Sequence, residues 1–573
     1  MCPFYRKRVF ESLALLLLIC VFSPTVQGQR KIALPQLSSS FKETNLSITP
    51  NGKYLFFMSD RGGQVWSEEW DPDPETGERR FDGDIWYSTY LDGEWLPAKC
   101  LNATVNTLRG EDEPNITSDG QRVYFQSWRD NWRYNGGPYY MAQLNGAVWT
   151  NLDGLGGEIT RFFSELGSRM NTIMVEELTK ANLLWKYRQL VMRGVDDPLD
   201  TLRLEGFEFP NFSIATDGMA VSPDEKTFIV SVYIPETENY DLMISHKNKK
   251  GNWSYPKSLS INSPADEKSV FIAGDNKTIY FSSSRAGGYG GLDVYSATLG
   301  QKRDCSEPEN LGSALNTAQD DEGFILTANG KRGFMASDGN IFEIDLDMEP
   351  PSVLVIDGVV VNQDSFPLAT RVELTDLSTG EILYQTTSNF LSGEYGFSLS
   401  KQLGDFQQTF YLDGELVETI NFNVKEDSPD ELSYYVLIPE ARSPDIPKDL
   451  YEKEVVVGEV FRLDKIQFAA NEAVIDEISH DMLNELAALL IARQDLVVEI
   501  GGHTNGIPGH EFCDNLSQNR ANAVRKYLLD QEVPGQFLAA KGYGKRSPVA
   551  SNKNLEGRKL NQRVELKILE VIE

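Results

Sequence analysis

The sequence predicts a multidomain protein: an all-β region built of repeats, then a small β-sandwich, then an α+β domain at the carboxy end. Three observations predict it. A strand-turn-strand unit recurs five times before residue 350, short strands continue from 352 to 440, and residues 455–573 alternate strand with helix. The 573 residues are enough for roughly four domains of about 150 residues. With 54 Lys+Arg against 85 Asp+Glu, the net charge of −31 repels phosphate backbones and excludes nucleic acid as a partner. Hydrophobic residues at 40% are too many for a disordered acidic chain, so the acidity belongs to folded surfaces.

Taken in chain order, Arg6-Lys7-Arg8, the apolar run Leu13 to Phe22 and the small Gly28 form a secretory signal peptide over residues 1–28. The run is shorter than the roughly 20 apolar residues that span a bilayer. Leu17-Leu18-Ile19-Cys20 is similar to a lipoprotein cleavage box, with bulky Ile19 where a small residue is expected. Cys100, Cys305 and Cys513 remain after cleavage, an odd and scattered set that gives no disulfide framework. The mature chain is expected to be soluble and exported.

The repeats begin at Thr49-Pro50-Asn51-Gly52, Thr117-Ser118-Asp119-Gly120, Ser222-Pro223-Asp224, Gly274-Asp275-Asn276 and Ala328-Asn329-Gly330. Each turn precedes an aromatic or β-branched run such as Ile279-Tyr280-Phe281-Ser282, and three follow acidic segments beginning at Glu113, Glu267 and Glu322. With Asp84-Ile85-Trp86-Tyr87 and Asp293-Val294-Tyr295 downstream, the pattern resembles TolB-like, WD40-like β-propeller repeats. The resemblance implies a propeller over residues 38–347, with five blades visible and room for a sixth between positions 120 and 225. In that gap Phe162, Phe163, Leu166, Met170, Ile173, Met174 and Leu178 recur at helical spacing, predicting a helical insertion over about 155–195. It either packs on its own blade or docks a partner. Gly287-Gly288-Tyr289-Gly290-Gly291 lacks the Lys-Ser/Thr of a phosphate loop and reads as a turn, and Asp71–Glu78, which lacks a helix-flanked calcium loop, reads as a hairpin tip.

Between residues 352 and 440, strands such as Val359-Val360-Val361, Val372-Glu373-Leu374, Tyr395-Gly396-Phe397 and Tyr434 to Ile438 indicate a β-sandwich. With Pro367-Leu368 and Gly393-Glu394-Tyr395, their order resembles carboxypeptidase-regulatory-like domains, which implies a spacer or adhesion module. Residues 441–454, with Pro444 and Pro447, read as a stiffened linker.

In the last domain, Ile478 to Leu490 carries a helical apolar stripe, Leu496 to Ile500 a strand, Gly501 to Gly506 a loop, and about Leu516 to Leu529 a second helix. Arg520 lies four residues from both Leu516 and Val524, a cation on an apolar face that needs an anionic partner. Gly502-His503-Thr504, Leu516-Ser517, Arg520-Ala521, Gly542-Tyr543-Gly544, Pro548-Val549-Ala550, Asn552, Gly557-Arg558 and Asn561 to Glu565 resemble the OmpA-like (Pal/MotB-like) peptidoglycan-binding domain over residues 455–573. The resemblance implies capture of a peptidoglycan stem peptide, the Arg520 fork gripping a carboxylate of diaminopimelate. It places His503, Thr504, Asn505, Arg558, Asn561 and Arg563 at the site. The last three either touch ligand or brace the loop. Similar domains have Asp where this chain has Asn505, and Asn where it has Cys513, so a charge pair and an amide contact are expected to be lost.

His503, His510 and Cys513 lack the fourth ligand of a zinc site, and no Gly-x-Ser-x-Gly elbow occurs. No catalytic residue, cofactor or metal is expected. The expected function is a non-enzymatic envelope protein of the periplasm, associated with the outer membrane and cell wall. It would be anchored to peptidoglycan by its last domain and bound to outer-membrane or periplasmic proteins through its propeller, its outer-membrane association peripheral or through partners. Two alternatives are an envelope-assembly or type IX secretion-associated scaffold whose last domain has lost its ligand, and a glycan-binding or glycan-processing propeller.

Overall fold

The computed structural model describes residues 31–572 except 63–68, 71–79, 196–197, 208–211, 338, 346–350, 452–454, 470 and 494. The signal-peptide reading of residues 1–28 and the hairpin tip at Asp71–Glu78 lie outside the described residues.

The five repeat turns share one backbone conformation. Gly52, Gly120, Glu225, Asn276 and Gly330 all have φ between 56° and 72°, and each donates its N–H to the carbonyl three residues earlier, as Gly52 does to Thr49 at 2.8 Å. Left-handed φ explains the preference for glycine and asparagine there. The strands flanking each turn are the first two of an antiparallel sheet. The five sheets begin with the strands Glu43–Ile48, Glu111–Ile116, Thr216–Val221, Glu267–Ile272 and Glu322–Leu326. Each first strand contacts the next in order, and the fifth contacts the first, so the sheets close a ring. Lys31–Ala33 completes the fifth sheet by pairing with Asn340–Asp345. Among the described residues the gap between 120 and 225 holds the rest of the second sheet, three helices and the first strand of the third sheet, and no sixth four-stranded sheet.

A buried ion pair recurs in three sheets. Arg61, Arg129 and Arg285 reach Glu43, Glu111 and Glu267 at 2.9, 3.3 and 3.0 Å, with each glutamate fully buried. Ser59, Ser127 and Ser283 hydroxyls donate to the same carboxylates, and each arginine also donates to a backbone carbonyl, of Leu37, Val105 or Ile261. These extra hydrogen bonds offset the cost of burying both charges. The fifth sheet replaces the pair with Asp321 and Lys31, 3.2 Å apart.

The insertion comprises α1 (Gly157–Lys180), α2 (Leu184–Met192) and α3 (Pro198–Leu204), and runs beyond the predicted end at about 195. The first half of α1 buries Ile159, Phe162, Phe163 and Leu166 against Tyr139, Phe228 and Trp253 of the ring.

Residues 353–438 form two facing sheets, of three and four strands, around Ile356, Val372, Leu374, Phe397, Phe406 and Phe410. The segment read as a linker is instead partly packed: Ile446, Leu450 and Tyr451 are buried in the core of the last domain, because three apolar side chains there outweigh the two prolines. That core lies between a four-stranded sheet, ordered Val460–Arg462, Val564–Val571, Leu496–His503, Leu538–Gly544, and helices α4 (His480–Ala492) and α5 (His510–Asp530); α6 (Leu555–Asn561) precedes the last strand.

The three parts touch. Gln121 Nε2 of the ring donates to Thr387 O at 2.8 Å, and Ser398 Oγ of the sandwich donates to Gly274 O at 2.9 Å. Asn389 Nδ2 donates to Gly146 O at 3.0 Å, and the neighbouring Ala147 N–H donates to Ala492 O at the end of α4 at 3.1 Å. Phe366, Phe390 and Leu391 of the sandwich pack on the core of the last domain.

Candidate functional site

The site is built where α5 crosses the end of the sheet. The crossing is close: a Cβ on Gly502 would lie 2.2 Å from Ser517 O, and one on Gly542 would lie 2.4 Å from Gln518 N, so both glycines are steric requirements. Ser517 Oγ accepts from Gly544 N at 2.9 Å, pinning helix to strand. Gly501, Gly502 and His503 belong to the strand Leu496–His503, which pairs with Val564–Val571 as far as Gly502 and with Leu538–Gly544 as far as His503, and not to a loop as expected. The second helix starts at His510, earlier than predicted, so Cys513 is helical.

Arg520 is 5% exposed on the buried face of α5 with Ser517, Ala521 and Val524. Its Nε donates to Glu472 O at 2.9 Å and Nη2 to Ala469 O at 3.3 Å, while the guanidinium lies 4.8 Å from the centre of the Phe468 ring. Among the described residues it makes no ion pair with a carboxylate. Burial alone lowers its pKa from the ordinary guanidinium value. The group is positioned by neutral acceptors, and its charge has no carboxylate partner among the described residues.

Asn505, half-buried, accepts from Ile507 N through Oδ1 at 3.1 Å. The Cys513 thiol, fully buried, donates to Asn505 O and Pro508 O, each at 3.6 Å, and so ties this turn to α5. Cys513 and Arg520 lie on one helix face, seven residues or about 10 Å apart along the axis. Gly506 N donates to Asn552 Oδ1 at 2.8 Å, linking the turn to the 547–552 segment.

Asn561 is fully buried and its amide is saturated: Oδ1 accepts from Val549 N and Ala550 N at 2.8 and 3.0 Å, and Nδ2 donates to Ala550 O and Asn552 Oδ1 at 2.8 and 2.9 Å. The Asn561 amide thus holds the 549–552 segment in place. Arg558 Nη1 donates to Asn552 O at 3.2 Å. Arg563 Nε donates to Glu565 Oε1 at 2.6 Å and Nη2 to Ser547 O at 3.2 Å. His503 stacks on Tyr543 with centroids 5.0 Å apart, and its Nε2 lies 2.9 Å from Glu565 Oε2. His503, and with it Arg563, pulls the Glu565 carboxyl down to about 2. Thr504 Oγ1 and Arg563 Nη1 are buried with no hydrogen-bond partner among the described residues.

Six of the seven residues therefore belong to one connected region around the end of the strand Leu496–His503, and Arg520 stands at the far side of the same helix face. The Ala469 and Glu472 carbonyls that orient Arg520 were invisible in the sequence, since a carbonyl carries no residue signature. Asn552 was visible as part of the motif.

The arrangement of helices on a small mixed sheet defines an α+β domain with a buried, uncompensated cation. Residues 467–562 match the OmpA family, and the chain thus carries an OmpA family domain at its carboxy end. Outer membrane porin F of Pseudomonas aeruginosa is 33% identical over 114 residues, covering 20% of this chain and 33% of that protein. Motility protein B of Bacillus subtilis is 37% identical over 111 residues, 18% of this chain and 42% of that protein. Peptidoglycan-binding protein ArfA of Mycobacterium tuberculosis is 36% identical over 101 residues, 18% of this chain and 31% of that protein. The chain spans about a third of the length of the first curated relatives it matches. Among solved structures, the peptidoglycan-associated lipoprotein from Burkholderia pseudomallei is 25% identical with a TM-score of 0.18, covering 18% of this chain and 87% of that one.

No described helix is long and apolar enough to cross a membrane.

Proposed function

We propose that this chain is a non-enzymatic cell-envelope protein of the periplasm that holds peptidoglycan through its last domain. The observation that carries the reading is the Arg520 guanidinium, buried, fixed by the Glu472 and Ala469 carbonyls and without a carboxylate partner among the described residues. Such a group is preorganised for a ligand carboxylate, and a carboxylate of a stem peptide's diaminopimelate supplies one. A relative over this region is named a peptidoglycan-binding protein, which supports the ligand class. Thr504 Oγ1 and Arg563 Nη1, buried and unpartnered among the described residues, are spare donors in the region around the end of the strand Leu496–His503. His503 and Arg558 position the walls, and Asn505 offers an amide where a carboxylate would pair with an ammonium. The ring of five sheets is read as a five-bladed propeller that binds envelope proteins, with the sandwich as a spacer holding it against the last domain.

The test is co-sedimentation of the exported chain with purified sacculi. Wild type is expected in the pellet and Arg520→Ala in the supernatant, with an unchanged melting temperature for the remaining domains. If wild type stays in the supernatant and Asn505→Asp pellets, the last domain is a protein-contact module and the scaffold reading replaces this one. The Asn505 turn, already closed by the Ile507 N–H and the Cys513 thiol, is what favours that second reading.

A further inference from the structure

The helical insertion divides into two parts. The first half of α1 is buried on the ring, but Met174 and Leu178 leave it and join Leu183, Leu202 and Phe212 in a small core made of residues from this excursion alone. α2 supplies Leu184, Tyr187 and Leu190 to that core from one face and has no fully buried residue. At 100° per residue, Trp185 and Met192 fall at the centre of the opposite face, with Arg188 on one side and Lys186 and Arg193 on the other. Trp185 is 56% exposed and Met192 79%. Leu204, at the end of α3, is 85% exposed, and Phe207 just beyond lies 5.4 Å from Lys186 Nζ.

The outward face of α2 is basic in an otherwise acidic chain. From Leu178 to Val195 the four charged residues are Lys180, Lys186, Arg188 and Arg193, set between Glu176-Glu177 on one side and Asp196-Asp197 on the other, in a chain with a net charge of −31. Lys180 pairs with Glu177 and Lys186 with Glu205. Arg188 and Arg193 have no carboxylate partner among the described residues, and both are exposed.

We propose that the outward face of α2, with the neighbouring Leu204, is a shallow docking element for an anionic phospholipid surface. An exposed tryptophan and an aliphatic thioether flanked on both sides by cations match the boundary between headgroups and acyl chains, where the rings and chains sink in and the guanidinium groups meet phosphates. Nine residues of helix make a strip about 14 Å long, far short of the roughly 800 Å² per partner that a stable protein interface buries. Shallow insertion needs no such area. The remaining surface of the chain, strongly acidic, is repelled by the same bilayer, so contact through α2 also fixes which way the ring points. This inference does not rest on the peptidoglycan reading.

The test is flotation of the full exported chain with vesicles of phosphatidylcholine alone and of phosphatidylcholine containing phosphatidylglycerol. Flotation is expected only with the anionic vesicles, and is expected to be lost at about 0.5 M salt, where the Debye length falls to about 4 Å. Arg188→Glu with Arg193→Glu is expected to weaken it at least about tenfold, and Trp185→Ser with Met192→Ser to reduce it at constant salt dependence. These side chains are exposed, so circular dichroism is expected to be unchanged. Absence of flotation with anionic vesicles overturns the proposal and leaves this face to a protein partner. Equal flotation by the Arg188→Glu, Arg193→Glu variant overturns it too.

Discussion

Gly146, in the turn between the last two strands of the second sheet, lies so close to Ala492 at the end of α4 that a Cβ on the glycine would be 2.5 Å from the alanine's Cβ and 2.9 Å from Leu391 Cδ1. Its φ is +64°, which a side chain disfavours as well. One glycine thus sets the contact at which ring, sandwich and last domain meet. Gly146→Val is expected to undock the last domain at a cost of about 1–3 kcal/mol. Small-angle scattering would then give a larger radius of gyration; an unchanged radius would mean the contact is not decisive.

The repeated arginine–glutamate pairs are expected to contribute unequally. Glu267 is fully buried against Arg285, so Glu267→Ala strands a buried cation and is expected to cost about 3–5 kcal/mol. Lys31 is 30% exposed, but Asp321 is 1% exposed and would keep its hydrogen bonds from Thr317 N and Oγ1, so Lys31→Ala is expected to cost less, about 1–3 kcal/mol. Denaturant titration of each variant checks the order, which would be reversed if exposure did not govern these pairs.

Acid is expected to loosen the last domain. The folded state holds the Glu565 carboxyl down to about 2, beneath its ordinary value of 4.5, because His503 and Arg563 lie against it. The unfolded state therefore takes up the proton first. The stability from this group is fully present above the unfolded value and is lost as pH falls from about 5 towards 2, by about 1–2 kcal/mol after allowance for partial exposure. Glu565→Gln should flatten that acid limb, as followed by thermal melts across the range.

Restoring a carboxylate at position 505 should tighten the ligand. Asn505→Asp keeps the acceptor that closes the turn on the Ile507 N–H and adds a charge for an ammonium. A gain of about 1–2 kcal/mol, roughly 5- to 30-fold in affinity, is expected for a soluble muropeptide with a free diaminopimelate amine. Calorimetry with that muropeptide and its N-acetylated form separates the charge effect from any change in the turn.

Much of this fold can be read from turn chemistry. The left-handed residue of each repeat was marked by glycine, asparagine or a neighbouring Asp, and all five turns lie where those residues stand. Apolar periodicity likewise located α1 and α4. Element ends were less legible: α5 begins at His510, because polar residues on its exposed side hide the first turn. The packing of residues 446–451 escaped notice because prolines suggested a spacer while Leu450 and Tyr451 had no periodic neighbours to identify them. Of the site, Arg520 and the asparagine braces carried signatures, but the carbonyls of Ala469 and Glu472 and the close approach at Gly542 exist only once the chain is folded.

Lys31–Ala33 supplies the outer strand of a sheet whose other strands lie some three hundred residues downstream, with Lys31 opposite Ile344. The circle of sheets is therefore fastened by a strand that precedes all its others in the chain, and that clasp must wait until almost the whole circle has been threaded. Until then the fifth sheet has an open edge able to recruit a foreign strand, and closing so long a loop is expected to be slow. Removing Lys31–Ala33 would leave every other described sheet with its own strands and yet unlatch the ring.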